Sequence, residues 1–237
     1  MPWMPHYGCT IPARGGTGKV HPRDLAAFAV ALRWSLRPQG TAVVVGHDWG
    51  AITANQVTAT DAEAFDRAVT LAVAPLSGEV LTSLRGRQVM ASAYAALLAT
   101  PGGWRSIGPG NWRLLETLWR RWSPGHLPDD KDRSGWQQAL AHDRGRGAAR
   151  YYRAMLPALA RRSWPHHDEQ VPRVPTLHLA GALDGCVTIG MQRRGGEGLA
   201  DHSLMVELPD AGHFLHLEEP DRVNTEIVDW LDQARIS

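Results

Sequence analysis

Short apolar runs alternate with helix-forming segments along most of the chain. Residues 41–46 are a β-branched apolar run, which is typical of a strand buried on both faces of a parallel sheet. Three other stretches also predict strands, at 68–74, 175–181 and 203–208. Directly after the first run, residues 49–58 can form a helix. Strands that alternate with helices predict an α/β fold with a mostly parallel sheet.

Three further stretches are predicted to be helical. Residues 24–36 are mostly helix formers in a largely apolar pattern, which predicts a buried helix, and residues 220–234 predict an amphipathic closing helix with proline near its first turn. Strand signals are absent from 77–170, which holds six of the ten tryptophans and therefore predicts an all-helical insertion. The insertion divides the core sheet into a first part at 1–76 and a second part at 171–237.

Composition and charge narrow the class of protein. Hydrophobic residues make up 43% of the 237 residues, so the chain can bury a sizeable core, and the formal net charge is +1. This near-neutral balance gives no reason to expect nucleic acid or an acidic membrane surface as a partner. Two cysteines, Cys9 and Cys186, provide neither a disulfide framework nor a ligand cluster, and the N-terminus has no signal-peptide pattern. We expect a soluble cytoplasmic protein.

The most informative segment is a small-x-acid-x-small pattern centred on Asp48. A predicted strand runs into it and a predicted helix follows, which is the context of a nucleophile elbow, usually Gly-x-Ser-x-Gly. The turn is so tight that the flanking residues, here Gly46 and Gly50, must be small. It lifts the central side chain above the sheet and directs the helix N-terminus towards it. An ordinary glycine-flanked turn is the alternative interpretation.

An aspartate at the elbow changes the reaction that the site can perform. A serine that attacks a saturated carbon would form an ether, which water does not cleave. A carboxylate that attacks the same carbon forms an alkyl ester, which water can hydrolyse. Asp48 therefore favours electrophilic saturated carbons, as in epoxides, alkyl halides or fluoroacetate.

Two further residues fit the order nucleophile, acid, histidine that this scaffold uses. Asp184 lies just beyond one predicted strand, and His213 lies in a loop after the next. Both fall where parallel strands end, so they can converge on Asp48, with His213 as the base for water and Asp184 orienting its ring. His216 is a weaker candidate for the base, and Cys186 is interpreted as a packing residue.

These motifs together resemble α/β-hydrolases of the epoxide hydrolase and haloalkane dehalogenase group. The matching runs are Gly-His-Asp-Trp-Gly-Ala around Asp48, Gly-Ala-Leu-Asp-Gly around Asp184, and Asp-Ala-Gly-His-Phe around His213, followed by Glu-Glu-Pro. The resemblance covers nearly the whole chain. It implies that 77–170 forms a helical lid and that the protein uses no metal and no organic cofactor.

The resemblance also implies two lid tyrosines that hold and protonate an epoxide oxygen. Tyr94, seven residues before Pro101, is a loose match to the first. Tyr152 is the better match to the second, since it stands in an aromatic-Tyr-Arg run. Trp49 follows the nucleophile, as in both groups of enzymes, and is expected to contact substrate. Packing within the lid is the alternative role for both tyrosines.

The chain departs from this family near its beginning. The His-Gly-x-Pro motif, which supplies the second backbone N–H of the oxyanion hole, is absent from the sequence. Residues 2–8 resemble a loop that the family places after its early strands, so we expect 41–46 to expose an apolar sheet edge. We favour a mis-assigned start of the reading frame over a partner that covers the edge or a crippled relative. A glycine-rich run at 15–19 lacks the spacing of a phosphate loop and is rejected as one.

The preferred interpretation is a hydrolase that opens epoxides to vicinal diols through an ester on Asp48. The alternatives are a dehalogenase that acts on alkyl halides or haloacetates, and a non-catalytic, truncated α/β-hydrolase-like protein. We expect a small apolar molecule as the substrate. The sequence leaves the oligomeric state open, a homo-oligomer included.

Overall fold

A computed structural model describes residues 2–10, 20–76, 86–108, 110–161, 163–165 and 169–233. Its strands are β1 (Val43–His47), β2 (Arg67–Leu71), β3 (Thr176–Gly181) and β4 (Leu204–Leu208). Its helices are α1 (Pro22–Leu36), α2 (Trp49–Thr60), α3 (Arg87–Ala91), α4 (Ala93–Ala99), α5 (Arg113–Trp122), α6 (Asp130–Leu140), α7 (Arg146–Ala160), α8 (Ile189–Gly196), α9 (Leu215–Glu218) and α10 (Pro220–Gln233). None of these helices combines the length and the apolar character that crossing a membrane requires. The run at 15–19 lies outside the described residues.

The four strands form one parallel sheet in the order β1-β2-β3-β4. Val45 is in register with Val69, and Leu177 joins Val69 to Leu204 across the sheet. Parallel strands of this kind are covered by helices on both faces, which is why they read as continuous apolar runs. The predicted α/β fold with a parallel sheet is therefore confirmed.

Strand β1 is less buried than predicted, but it forms the sheet edge that we expected. It lies at the end of the strand order, and among the described residues only β2 pairs with it. Val45 is consequently 55% exposed, so the prediction of a strand buried on both faces is wrong for β1. The apolar sheet edge that we expected from the missing family motif is present.

Helix α1 is buried on one face only, which corrects the prediction of a buried helix. Leu25 and Ala26 are almost fully buried, whereas Trp34 and Leu36 are exposed. The guanidinium of Arg33 donates to the carbonyl oxygens of Ala64 and Gly40, at 3.0 and 2.7 Å. The side chain of Arg33 therefore connects the end of α1 to the loops that precede β1 and β2.

Between β2 and β3, the regular secondary structure of the described residues is helical, with turns and loops joining the helices. Helices α3 to α7 lie within this stretch, and no strand occurs among its described residues. Helix α4 packs against α7, and this pair forms the roof of the cavity described below. The predicted boundary at residue 77 lies outside the described residues.

Helix α10 has the amphipathic character that its sequence predicts. Val223 and Trp230 are buried against Leu177 and Leu208 of the sheet, whereas Val228 is 54% exposed. One face of α10 thus covers the half of the sheet that carries the loops after β3 and β4. Those two loops hold Asp184 and His213.

Candidate active site

The turn after β1 places Asp48 in a conformation that few non-glycine residues adopt. Its φ is 51° and its ψ is −118°, a strained combination that usually marks a functional position. The Asp48 N–H donates to the carbonyl of Leu71, at 3.4 Å, and the Asp48 carbonyl accepts from Ala51 and Ile52. These contacts fix the turn between the end of β2 and the start of α2.

The two glycines that flank Asp48 have different roles. A Cβ atom on Gly46 would lie 2.2 Å from the carbonyl oxygen of Gly50, whereas a Cβ on Gly50 would meet nothing within 4 Å. The close approach of α2 to β1 therefore demands glycine at position 46. Our expectation that both flanking residues must be small is wrong for Gly50, because its Cβ would point into open space.

His213 is held by Asp184 in a fully buried pair. The distance from His213 Nδ1 to Asp184 Oδ2 is 2.9 Å, and both side chains are almost completely inaccessible to solvent. The other carboxylate oxygen of Asp184 accepts the backbone N–H groups of Cys186 and Val187, at 2.6 and 2.9 Å. The backbone N–H of His213 donates to the Trp122 carbonyl, at 2.9 Å. One hydrogen bond thus orients the ring and another fixes the backbone that carries it.

The free edge of the same imidazole faces Asp48. His213 Nε2 lies 3.6 Å from Asp48 Oδ1, so the ring stands between two carboxylates. The three residues come from the loops after β1, β3 and β4, which end at the same edge of the sheet. Loops at this edge are where sites of α/β proteins collect. The structure therefore brings together the nucleophile, acid and histidine that the sequence predicts, while their catalytic roles remain predictions.

The charges of this group reinforce one another. Burial alone would lower the pKa of His213, but the carboxylates of Asp184 and Asp48 overcome it and raise the pKa to about 10. Burial would raise the pKa of Asp48, but the hydrogen bond and charge of His213 and the backbone N–H of Trp49 lower it below its usual value. The two neighbouring acidic side chains therefore favour the protonated form of His213.

A cavity of about 120 Å³ opens above Asp48. Tyr94 of α4 and Tyr152 of α7 both line it, with ring centroids 5.4 Å apart in an edge-to-face arrangement. Trp49 lines the base of the cavity and packs edge-to-face on Tyr152. Most of the remaining wall is apolar, namely Ile52, Val73, Leu76, Ala95, Met155, Leu156, Val187 and Met191, and Gln88, Ser92 and Cys186 also line the cavity. All the residues predicted to contact substrate thus line the same cavity as Asp48.

Both cavity tyrosines keep their protons. Burial raises the pKa of each hydroxyl well above its ordinary value, and the negative charge of Asp48 raises the pKa further in both. A neutral phenol is a hydrogen-bond donor. The cavity therefore presents two donor hydroxyls beside one carboxylate.

Cys186 packs in the buried core, as predicted, and the structure adds that its thiol faces the site. Its thiol lines the cavity, lies 3.6 Å from the Tyr94 hydroxyl, and shares a cluster with Asp48 and His213 in which the three ligand atoms are within 4.8 Å of one another. The sequence placed Cys186 two residues after Asp184. Only the turn after β3 directs its side chain into the cavity.

Sequence reasoning also missed a buried residue that positions Asp184. The amide of Gln192 donates to Asp184 Oδ2 and to the Val187 carbonyl, at 3.2 and 2.8 Å. Its amide oxygen lies 3.1 Å from His178 Nε2, and His178 Nδ1 contacts the hydroxyl of Thr70. This chain of hydrogen bonds crosses from β2 to α8. No sequence motif marks it, because its members are far apart along the chain.

His216 does not replace His213 as the base. Its ring packs on His47, with centroids 4.7 Å apart, and His47 Nε2 donates to the His213 carbonyl at 2.9 Å. Burial lowers the pKa of His47 to about 3 and that of His216 to about 4. Both are therefore neutral supports behind the loop of His213.

Comparisons with known proteins identify the family of the chain. A model of the alpha/beta hydrolase family matches residues 5–226. A mutant of an epoxide hydrolase from Bacillus megaterium has a TM-score of 0.79 at 18% identity, over 97% of this chain and 82% of its own. One of the epoxide hydrolases found in metagenomes from hot environments has a TM-score of 0.72 at 23% identity, over 96% and 79%. No curated protein matches the sequence significantly.

The family match spans nearly the whole chain, so the chain belongs to the alpha/beta hydrolase family and is a hydrolase by class. The solved epoxide hydrolases share its fold at identities below 25%. The substrate must be argued from the residues of the site.

The elbow predicts a sharp difference between its two glycines. Gly46→Ala forces a methyl group into the Gly50 carbonyl, and we expect it to lower the free energy of unfolding by roughly 1–3 kcal/mol. Gly50→Ala is the matched control and should change it by no more than about 1 kcal/mol, since helices favour alanine over glycine. Urea titrations of both variants measure the difference. Equal losses in the two variants would contradict the steric account.

The paired carboxylates predict a dependence of His213 on Asp48. Asp48→Asn removes one of the two negative charges that hold the His213 pKa at about 10, so that pKa should fall. NMR titration of the imidazole measures it. Asp201→Asn, an exposed change outside the cavity, should leave the pKa of His213 where it is. An unchanged pKa in Asp48→Asn would show that the two residues do not interact in solution.

Proposed function

We propose that this chain hydrolyses epoxides to vicinal diols through an ester between Asp48 and a substrate carbon. The observation that carries the proposal is the imidazole of His213 between two carboxylates, one of them held on a strained turn beneath a cavity. The two phenols in that cavity distinguish epoxides from other electrophiles.

The first step uses Asp48 as the nucleophile. A carboxylate oxygen attacks one epoxide carbon and forms a C–O bond while the C–O bond of the ring breaks. The alkoxide that develops takes a proton from Tyr94 or Tyr152. An alkoxide is a stronger base than a phenolate, so the transfer is favourable even though the raised pKa of each phenol keeps it protonated at rest.

Ester formation prepares the second step. The ester oxygen of Asp48 carries no net charge, so His213 loses one of the two charges that raise its pKa and can release its proton. That proton replaces the one that the phenol gave to the alkoxide, so the phenol is neutral again before hydrolysis. The neutral imidazole then takes a proton from water, and the hydroxide attacks the ester carbonyl. The tetrahedral intermediate collapses by breaking the bond between the carbonyl carbon and the substrate oxygen. That oxygen takes a proton and leaves as the second hydroxyl of the diol, which restores the Asp48 carboxylate. Asp184 stabilises the imidazolium that forms, and the backbone N–H of Trp49, the residue that follows Asp48 at the start of α2, is a donor to the developing oxyanion.

A dehalogenase is the second candidate, and one observation favours it. The indole N–H of Trp122 is buried without a hydrogen-bond partner among the described residues. Its ring lies 4.9 Å from that of Tyr94 and 5.3 Å from that of His213. A departing halide needs such an N–H donor and no proton.

A non-catalytic role is the third alternative, and turnover by the purified chain would exclude it.

Trapping the intermediate tests the proposal. His213→Gln should still form the ester but hydrolyse it slowly, so incubation with a small aryl epoxide should add the mass of the whole epoxide to a peptide that contains Asp48. Asp48→Asn should give no adduct, and Asp201→Asn should turn over like the parent. With an alkyl bromide, an adduct accompanied by bromide release would select the dehalogenase instead. Absence of an adduct with either substrate would refute both enzymatic proposals.

The two phenols give a separate prediction. Tyr94→Phe and Tyr152→Phe should each lower kcat/KM for an epoxide by roughly 10²-fold, the lower end of general-acid effects because each phenol can substitute for the other. Tyr151→Phe is the matched control, since the Tyr151 hydroxyl donates to the Pro5 carbonyl, at 2.6 Å, and does not line the cavity. It should leave kcat/KM nearly unchanged. Equal losses in all three variants would indicate a packing role.

A further inference from the structure

The thiol of Cys186 has no part in the proposed reaction, yet it faces the reacting groups. The residue is 4% exposed and its side chain lines the cavity. Its sulfur, a ring nitrogen of His213 and a carboxylate oxygen of Asp48 lie within 4.8 Å of one another. A sulfur, an imidazole nitrogen and a carboxylate oxygen are the three ligand types that proteins offer to zinc.

The spacing of these atoms is close to that of a tetrahedral site. With bonds of about 2.0–2.3 Å, two ligand atoms of a tetrahedral zinc ion lie roughly 3.3–3.7 Å apart. The separation of 3.6 Å between His213 Nε2 and Asp48 Oδ1 already matches. Because the three atoms lie within 4.8 Å of one another, the sulfur of Cys186 has to move by no more than roughly 1 Å to complete the set.

Two of the three residues are also held by hydrogen bonds of the kind that support metal ligands. The Nδ1–H of His213 donates a hydrogen bond to Asp184, at 2.9 Å, which leaves Nε2 free to face Asp48. A carboxylate that holds the other nitrogen of a ligating histidine is common in zinc sites. The backbone of Cys186 is fixed by its own hydrogen bond to Asp184, at 2.6 Å. Among the described residues, those that line the cavity include no lysine or arginine, so the positive charge that opposes a divalent ion there is that of the protonated His213, which is lost when the ion binds.

We propose that Asp48, Cys186 and His213 form an inhibitory site for a thiophilic divalent cation, with Zn²⁺ as the representative ion. Binding releases the thiol proton and the proton on His213 Nε2, and it leaves the fourth position of the ion open to water on the cavity side. The bound ion occupies the nucleophile and the base together. It therefore blocks both the formation and the hydrolysis of the ester.

Direct binding tests the site without any substrate. Titration of the purified chain with Co²⁺ should produce a thiolate-to-cobalt charge-transfer absorption, which Zn²⁺ then displaces with a stoichiometry of one ion per chain. Cys186→Ser should lose this absorption and bind Zn²⁺ at least about 100-fold more weakly, since even loss of a residue that supports a ligand weakens metal binding by up to that factor. His213→Gln should weaken binding as well.

Cys9→Ser is the matched control, because Cys9 is the exposed free cysteine of the chain. It should retain the absorption and the affinity of the parent. Loss of binding in Cys9→Ser, or full binding in Cys186→Ser, would overturn the proposal. Cys186→Ala provides a second variant if serine disturbs folding, which thermal unfolding of each variant checks.

Inhibition gives a second readout, which rests on the proposed function. Zn²⁺ should inhibit turnover of the parent and of Cys9→Ser, and each variant is compared with its own metal-free rate. The inhibition constant for Cys186→Ser should rise by the same factor as its dissociation constant. A chain that binds Co²⁺ through Cys186 but opens no epoxide would refute the proposed function alone, whereas a chain that opens epoxides without the cobalt absorption would refute the metal site alone.

Discussion

The imidazole of His213 between the carboxylates of Asp184 and Asp48 is the interaction on which the site depends. A buried cation is stable only when opposite charges and hydrogen bonds surround it, and here each component has a structural support. Asp184 accepts two backbone N–H groups and the amide of Gln192 in addition to the ring. The same arrangement makes the His213 pKa sensitive to Asp48. In the proposed reaction, conversion of Asp48 to a neutral ester would therefore be the event that frees the imidazole to act as a base.

The elbow supplies the other constraint. Asp48 adopts a positive φ because β1 must turn into α2 within one residue, and the absence of a side chain on Gly46 allows the two elements to approach closely. That geometry lifts the carboxylate towards His213 and into the cavity under α4 and α7. The cavity wall is apolar apart from a few groups, among them the phenols and the thiol of Cys186, so each polar group in it acts in a medium where charge interactions are strong.

The structure also connects the exposed sheet edge with the site. Strand β1 ends at Asp48 and pairs, among the described residues, with β2 alone. Its position is therefore set by β2 on one side and by α2, whose first turn is fixed to Asp48. The contacts of the turn with Leu71, Ala51 and Ile52 hold the nucleophile in place even though Val45 faces solvent.

Most of the fold could be predicted from the sequence, because apolar runs and helical periodicity are local properties. The four strands, the helices α2 and α10 and the order of Asp48, Asp184 and His213 follow from such patterns, and the motifs at strand ends imply a common edge of the sheet. By contrast, the contacts that an element makes with its neighbours depend on the tertiary structure. Packing between residues that are distant along the chain decided the features that the sequence did not show. These are the exposure of β1 and of one face of α1, the open space beside Gly50, the hydrogen bond from Gln192 to Asp184, and the direction of the Cys186 thiol.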